Sequence, residues 1–268
     1  MMKRLVHVAG LVGVGLALVL GSLAAAEKSE PNPPAEGFDL AGSDPQAIAL
    51  ADRVMARMGG REAWDQTRYI RWSFFGRRHH VWDKYTGNIR IEGVERETEI
   101  PYLILMNIHT MEGRAWESGE EVTDPERLAE LLDRGEAVWI NDSYWLVMPY
   151  KLKDTGLTLE YLGEGSMEDG RSAEVLQLTF KGVGRTPENK YHVYVAKETG
   201  LVEQWAYYRN FEDDEPGFTG PWQNWQQYGR ILLSDNRGER GHTDLAVYDE
   251  LPASVFTSPE PVDWSAIP

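Results

Sequence analysis

Period-two alternation dominates the chain. Ile70, Trp72 and Phe74 oppose Arg71 and Ser73, and Ile89 and Ile91 oppose Arg90 and Glu92. Leu176, Leu178 and Phe180 oppose Gln177 and Thr179; Tyr191, Val193 and Val195 oppose His192. Apolar residues at every second position line one face of a strand, so these stretches predict half-buried antiparallel strands. The turns between them are legible. DKYTGN (83–88), MEDGRS (167–172) and AKETGL (196–201) each place Gly where a tight turn needs positive φ. Roughly ten strands at this spacing predict one strongly twisted sheet, which must curl or be covered.

Two segments switch to helical spacing. After SDPQ (43–46), Ile48, Ala51, Met55 and Met58 form one apolar stripe, which Gly59-Gly60 stops. Ser43 is the expected cap, Pro45 suits the first turn and Gln46 completes a capping box. TDPE (123–126) opens a second helix in the same way, with Leu128, Leu131 and Leu132 starting its stripe. Its stripe can continue through Val138 and Trp139 into INDSYWLVMPYKL (140–152), with Gly135 the one residue that counts against the continuation. The expected fold class is α+β: a strongly curved antiparallel β-sheet, an unclosed half-barrel, with helices covering the concave side.

The first residues change where this domain is expected to work. Lys3 and Arg4 precede an uncharged apolar run, Leu5 to Leu20, and Ala24 and Ala26 offer a cleavage site. This predicts a signal peptide over 1–26, cleaved near Ala26, and a periplasmic protein with no permanent membrane anchor. The Pro- and Glu-rich stretch 27–42 reads as a flexible linker, and 43–268 as one domain. The chain has no Cys, which excludes disulfides, a thiol nucleophile and a lipidated cysteine anchor. Its formal net charge is -16, and loss of Lys3 and Arg4 makes it more negative still. Such a surface argues against nucleic acid and anionic headgroups as partners.

Candidate chemistry is sparse. RRHH (77–80) is a tempting metal motif, but His79 and His80 point to opposite faces of a strand, so an exposed polar strand face is expected there. Asn141-Asp142-Ser143 suggests a nucleophile beside an acid, yet no GxSxG elbow surrounds it. The expected role of these three is local, satisfying backbone groups where a helix hands over to an extended segment. EDDEP (212–216) reads as a solvated acidic loop without EF-hand spacing. Trp222 and Trp225, three apart among Gln and Asn, fit either edge packing or a surface that stacks on a sugar. No cofactor, metal or catalytic residue is assigned.

The order of these features resembles the Lol-type outer-membrane lipoprotein-sorting carriers and their uncharacterised exported relatives. ALADRVMARMGGREAW (49–64), RRHHVWDKYTGNIRIE (77–92), NDSYWLVMPYKLKDTG (141–156) and VAKETGLVEQW (195–205) carry the likeness, which spans roughly residues 45–250. The resemblance implies an unclosed barrel with a helical lid over a hydrophobic cavity that holds acyl chains. The chain is longer than such carriers and lacks the Cys of their anchored branch. No interior arginine of theirs is assigned to Arg71, Arg78 or Arg90.

The expectation that follows is a non-enzymatic binding protein holding a lipid, an acylated protein or another hydrophobic small molecule. Ten tryptophans are many large rings for one domain. The expected lining is Trp72, Phe74, Trp82, Ile89, Ile91, Met106, Trp116, Trp145, Val147, Met148, Trp205, Trp222 and Trp225. The alternative expectation is that the same residues fill the concavity and leave an envelope scaffold, with glycan binding or hydrolysis less favoured.

Overall fold

The computed structural model describes residues 31–267, so the signal peptide read at 1–26 lies outside the described residues. In chain order the elements begin with α1 (Pro45–Arg57), α2 (Gly60–Gln66), β1 (Tyr69–Phe74), β2 (Arg78–Asp83) and β3 (Asn88–Val94). They continue with β4 (Pro101–Asn107), β5 (Gly113–Glu117), β6 (Glu120–Glu121), α3 (Pro125–Val147), β7 (Leu157–Ser166) and β8 (Ser172–Phe180). The last are β9 (Lys190–Ala196), β10 (Val202–Tyr208), β11 (Phe218–Pro221), β12 (Gln223–Tyr228), β13 (Ile231–Asn236), β14 (His242–Tyr248) and α4 (Ser254–Thr257).

The fold is α+β, with antiparallel sheets that are not closed into a barrel. Hydrogen bonding divides the expected single ribbon into three pieces. One is a seven-stranded sheet ordered β14-β1-β2-β3-β4-β5-β6, one a five-stranded sheet ordered β11-β10-β9-β8-β7, and one the β12–β13 hairpin. The break has a local cause. Pro221 lacks a ladder donor and Asn224 sits at φ 58, so the chain bends away after β11. The hairpin then bridges the two sheets: Trp222 N–H donates to Glu203 at 2.8 Å, and Asn236 forms a β-bridge with Gly241.

Helices fill the space between the sheets. A core built from Ile70, Trp72 and Phe74 of β1, Leu176 and Leu178 of β8 and Trp205 of β10 also takes in Leu50 and Val54 of α1 and Leu146 and Val147 of α3. A second core, Ile89, Ile91, Ile104, Met106 and Ala115, lies under the first half of α3 with Leu131. Among the described residues no helix is long and apolar enough to cross a membrane.

Several local expectations change. Asp44, not Ser43, caps α1: its Oδ1 accepts from Gln46 N–H at 2.8 Å, while the Ser43 hydroxyl accepts from Leu159 N–H at 3.0 Å. Residues 31–42 are not a free linker. Ala35 N–H donates to Lys153, Asp39 N–H donates to Leu157, and Asn32 and Phe38 are buried. Arg90, expected on a solvated strand face, is buried because the C-terminal segment crosses that face. Its guanidinium donates to the carbonyls of Val255, Ser258 and Glu260 at 3.3, 2.8 and 3.1 Å.

Helix α3 runs unbroken through Gly135 to Val147. Glycine inside a helix costs about 1 kcal/mol relative to alanine. Here it lets the helix lie close on β4, where an added Cβ would meet Met106 Sδ at 2.8 Å and Ile104 Cγ2 at 3.1 Å. Gly135→Leu should therefore lower stability by about 1–3 kcal/mol. The check is the urea midpoint, and an unchanged midpoint would mean that the helix has room to rise.

Candidate functional site

The strand pairings bring together residues far apart in sequence. On the inner face of the seven-stranded sheet Phe74 pairs with His242 on one side and Arg78 on the other, and the next row pairs Trp72 with His80. The second half of α3 lies over these rows. Its Asp142, fully buried, accepts from Arg78 Nε at 2.6 Å, Arg78 Nη2 at 2.7 Å and His80 Nε2 at 2.7 Å. Asn141 donates to the same carboxylate at 2.9 Å. Trp72 stacks on the His80 ring at 4.6 Å.

A second polar fastening holds the end of the helix. The Trp145 carbonyl accepts from Arg237 Nη2 at 2.8 Å and from His242 Nε2 at 3.1 Å. Arg237 is buried, and its other donors reach the Ser234 hydroxyl and the carbonyls of Ser234 and Asn236. Its guanidinium lies 3.7 Å from the Trp222 ring centre. A cation against the last turn of a helix complements the negative end of its dipole. Elsewhere α3 is tied by Arg127 to Glu117, by Arg134 to Glu95 and by Arg185 to Asp133 and Glu136.

The ionisation states follow from geometry. Burial pushes the Asp142 carboxyl up, but the bonds from Arg78 and His80 outweigh it and hold the group below the usual carboxylate range. Asp142 is therefore an acceptor, so His80 Nε2 carries the proton. Burial lowers the His80 pKa more than Asp142 raises it, and the ring is neutral. For His242, burial first and then the charge of Arg237 push the pKa down to about 3. Its Nε2–H faces a carbonyl, so both histidines leave a bare Nδ1, and neither Nδ1 has a partner among the described residues.

Next to this cluster lies a continuous aromatic group. Trp145 meets Trp205 edge-on at 4.6 Å and Phe75 edge-on at 5.4 Å, and lies tilted against Phe218 at 5.4 Å. Trp205 stacks on Tyr191 at 5.2 Å and meets Trp222 edge-on at 5.2 Å. Phe75 occupies left-handed backbone, φ 52, a strained setting for a bulky residue.

The thirteen expected lining residues do not enclose one hollow in this structure. Trp72, Phe74, Val147, Met148, Trp205 and Trp222 lie in the first core, with Trp82, Trp145 and Trp225 half-buried against it. Ile89, Ile91 and Met106 lie in the second core. Trp116 belongs to neither: Ala115 faces the core, so Trp116 takes the outer face of β5, under Arg114. Trp222 is fully buried with Arg237 over its ring, which leaves no face for a sugar, and Trp225 Nε1 donates to the Val202 carbonyl at 2.8 Å. An open cleft of about 280 Å³ lies elsewhere, beside Thr67, Arg230, Val247 and Asp249.

His80 and Asp142 depart most from expectation. His80 is core-facing and buried, not part of an exposed strand face, while His79 on the other face is exposed. Asp142 sits inside a helix and pairs over long range, instead of serving a local helix end. The Ser143 hydroxyl bonds only the Ile140 carbonyl among the described residues, at 3.4 Å. Arg237 and His242 carried no sequence signal beyond their residue types.

No family model and no curated protein matches the chain. Among solved structures it is similar to a DUF1329 family protein from Desulfovibrio piger, with 14% identity and a TM-score of 0.41, covering 80% of this chain and 98% of that one. It is also similar to MucB in complex with MucA(peri), with 16% identity and a TM-score of 0.18, covering 59% of this chain and 48% of that one.

Proposed function

We propose that this chain is an exported, non-enzymatic binding protein for a hydrophobic ligand, a lipid or an acylated protein, with α3 as its cover. The observation that carries the reading is how α3 is held. A helix meant only to close a core needs its apolar stripe. This one is also fastened by Arg78, His80, Arg237 and His242, whose contacts with α3 use none of the backbone hydrogen bonds that hold either sheet together. Beneath it, buried Nε1 atoms of Trp72, Trp205 and Trp222 and the Tyr144 hydroxyl have no partner among the described residues. Each such atom costs about 1–3 kcal/mol in a permanently closed interior. Lifting α3 exposes the aromatic group, and an entering chain gains about 0.8 kcal/mol per methylene removed from water.

A second reading, a filled envelope scaffold, is favoured by the close packing of the same rings. One experiment separates the two. The mature protein, isolated from its own periplasm, is examined by native mass spectrometry and then titrated with an apolar fluorescent probe. Binding predicts co-purified lipid or probe uptake. It also predicts that Trp145→Ala weakens uptake more than it lowers the melting temperature. An empty protein that takes up no probe supports the scaffold.

A further inference from the structure

We infer that His80 and His242 form a proton-operated catch on α3, so that mild acid releases the helix from the seven-stranded sheet while the sheets stay folded. The inference rests on α3 being a movable cover and not on what it covers.

The geometry supplies both halves of the device. In the closed state each ring spends its one N–H on α3, His80 on Asp142 and His242 on the Trp145 carbonyl, and each Nδ1 is buried without a partner. A proton added to either Nδ1 creates a buried N–H with no acceptor. It also adds charge where the charges are already matched or positive. Around His80 stand Asp142 on α3, and Arg78 and His79 on β2, with the Tyr102 hydroxyl of β4 near the pair. The Asp142 carboxylate is already engaged by both arms of Arg78, so a charged His80 would be a second cation on one anion. Around His242 stand Arg237 from the turn after β13, with Asp142 and His80 across the row. Asp235 bears on Arg237 from the same hairpin. The flanking side chains, Trp72 and Phe74 of β1 and Phe75 just after it, are uncharged.

With α3 lifted, both rings meet water and regain an ordinary pKa near 6.5. Opening then takes up protons, and it becomes more favourable as pH falls below that value. At pH 5.0 the opening equilibrium shifts by about thirtyfold relative to pH 7.5 through His242, whose closed-state pKa lies near 3, and His80, also held below its ordinary value, adds to the shift in the same direction. Asp142 stays ionised across this window, so the catch works through the imidazoles.

The test is amide hydrogen exchange of the ligand-free mature protein, followed by mass spectrometry and corrected for the intrinsic effect of pH. Exchange over residues 138–147 should rise at least thirtyfold between pH 7.5 and 5.0, while β8 and β9 keep their protection. His80→Gln and His242→Gln keep a donor but cannot charge; His242→Gln should remove about a factor of thirty and His80→Gln should lower the rise further in the same direction. A flat α3 profile overturns the inference. So does protection lost equally from β8 and β9, or a rise undiminished in both variants. Should a variant fail to fold, nitrogen-15 spectra of the histidine rings in the unaltered protein decide. Neutral Nε2–H rings at pH 6 support the catch, and doubly protonated rings in a closed α3 overturn it. An α3 that opens in acid yet takes up no apolar probe would leave the catch standing and defeat the binding function.

Discussion

Asp142→Ala should destabilise the protein by about 3–5 kcal/mol, the cost of stranding one partner of a buried ion pair. The substitution leaves the Arg78 guanidinium and the His80 N–H without their acceptor, between a β-strand and a helix, where water replaces it poorly. The effect is to be read as a shift of the urea midpoint at pH 7.5 with an unchanged slope. The replacement Arg78→Met with Asp142→Leu provides the control. Removing both charges together should restore the share of the loss that comes from the stranded guanidinium, because a buried pair is often no better than well-packed apolar residues of similar volume, while the His80 N–H remains without its acceptor. A loss below 1 kcal/mol for Asp142→Ala would mean that apolar contacts alone hold α3 in place. Hydrogen exchange should then show no extra opening of the helix in this variant.

Trp205→Ala should cost about 3–5 kcal/mol as well, by a different mechanism. Trp205 is almost fully buried and touches rings from four other elements or connections: Trp145 on α3, Tyr191 on β9, Phe218 on β11 and Trp222 in the link to β12. Deleting an indole from such a group removes its transfer free energy and leaves a cavity the neighbours only partly fill. The cavity bears on function. An engineered apolar hole of this kind stays dry and accepts small aromatic molecules. The variant should therefore regain melting temperature in benzene or indole while the unaltered protein does not. A variant that melts at the same temperature with and without them would show that the aromatic group collapses into the space. That outcome would also argue that the rings beneath α3 rearrange easily.

These two residues mark the limits of sequence reading. Trp205 is legible: it follows the Lys-Glu-Thr-Gly turn in a stretch expected to form a strand, is expected among the interior rings, and the structure buries it. Asp142 is not. It stands between Asn141 and Ser143, where short polar residues ordinarily serve a helix end, and nothing in that neighbourhood names Arg78 and His80, more than sixty residues earlier, as its partners. RRHHVWD gave the correct opposition of His79 and His80 across a strand. Which of the two faces the core depended on which side of β2 the helix covers, and a single strand pattern does not state that. Likewise, burial of Arg90 required the C-terminal segment to cross its face. Gly135 counted against a continuous helix, and the closeness of β4 supplies its reason.

The chain's own periodicities determined β1, β3, β8 and β9, the glycine turns, the two long helices and the α+β class, because backbone sterics and the burial of one face act over a few neighbouring residues. Three things were settled only in three dimensions: the division into two sheets and a bridging hairpin, the separation of the aromatic residues into two cores, and the gathering of Arg78, His80, Asp142, Arg237 and His242 around one helix. Those depend on which faces meet across long loops, and the pairing of a buried charge is decided by that meeting and not by its neighbours in sequence.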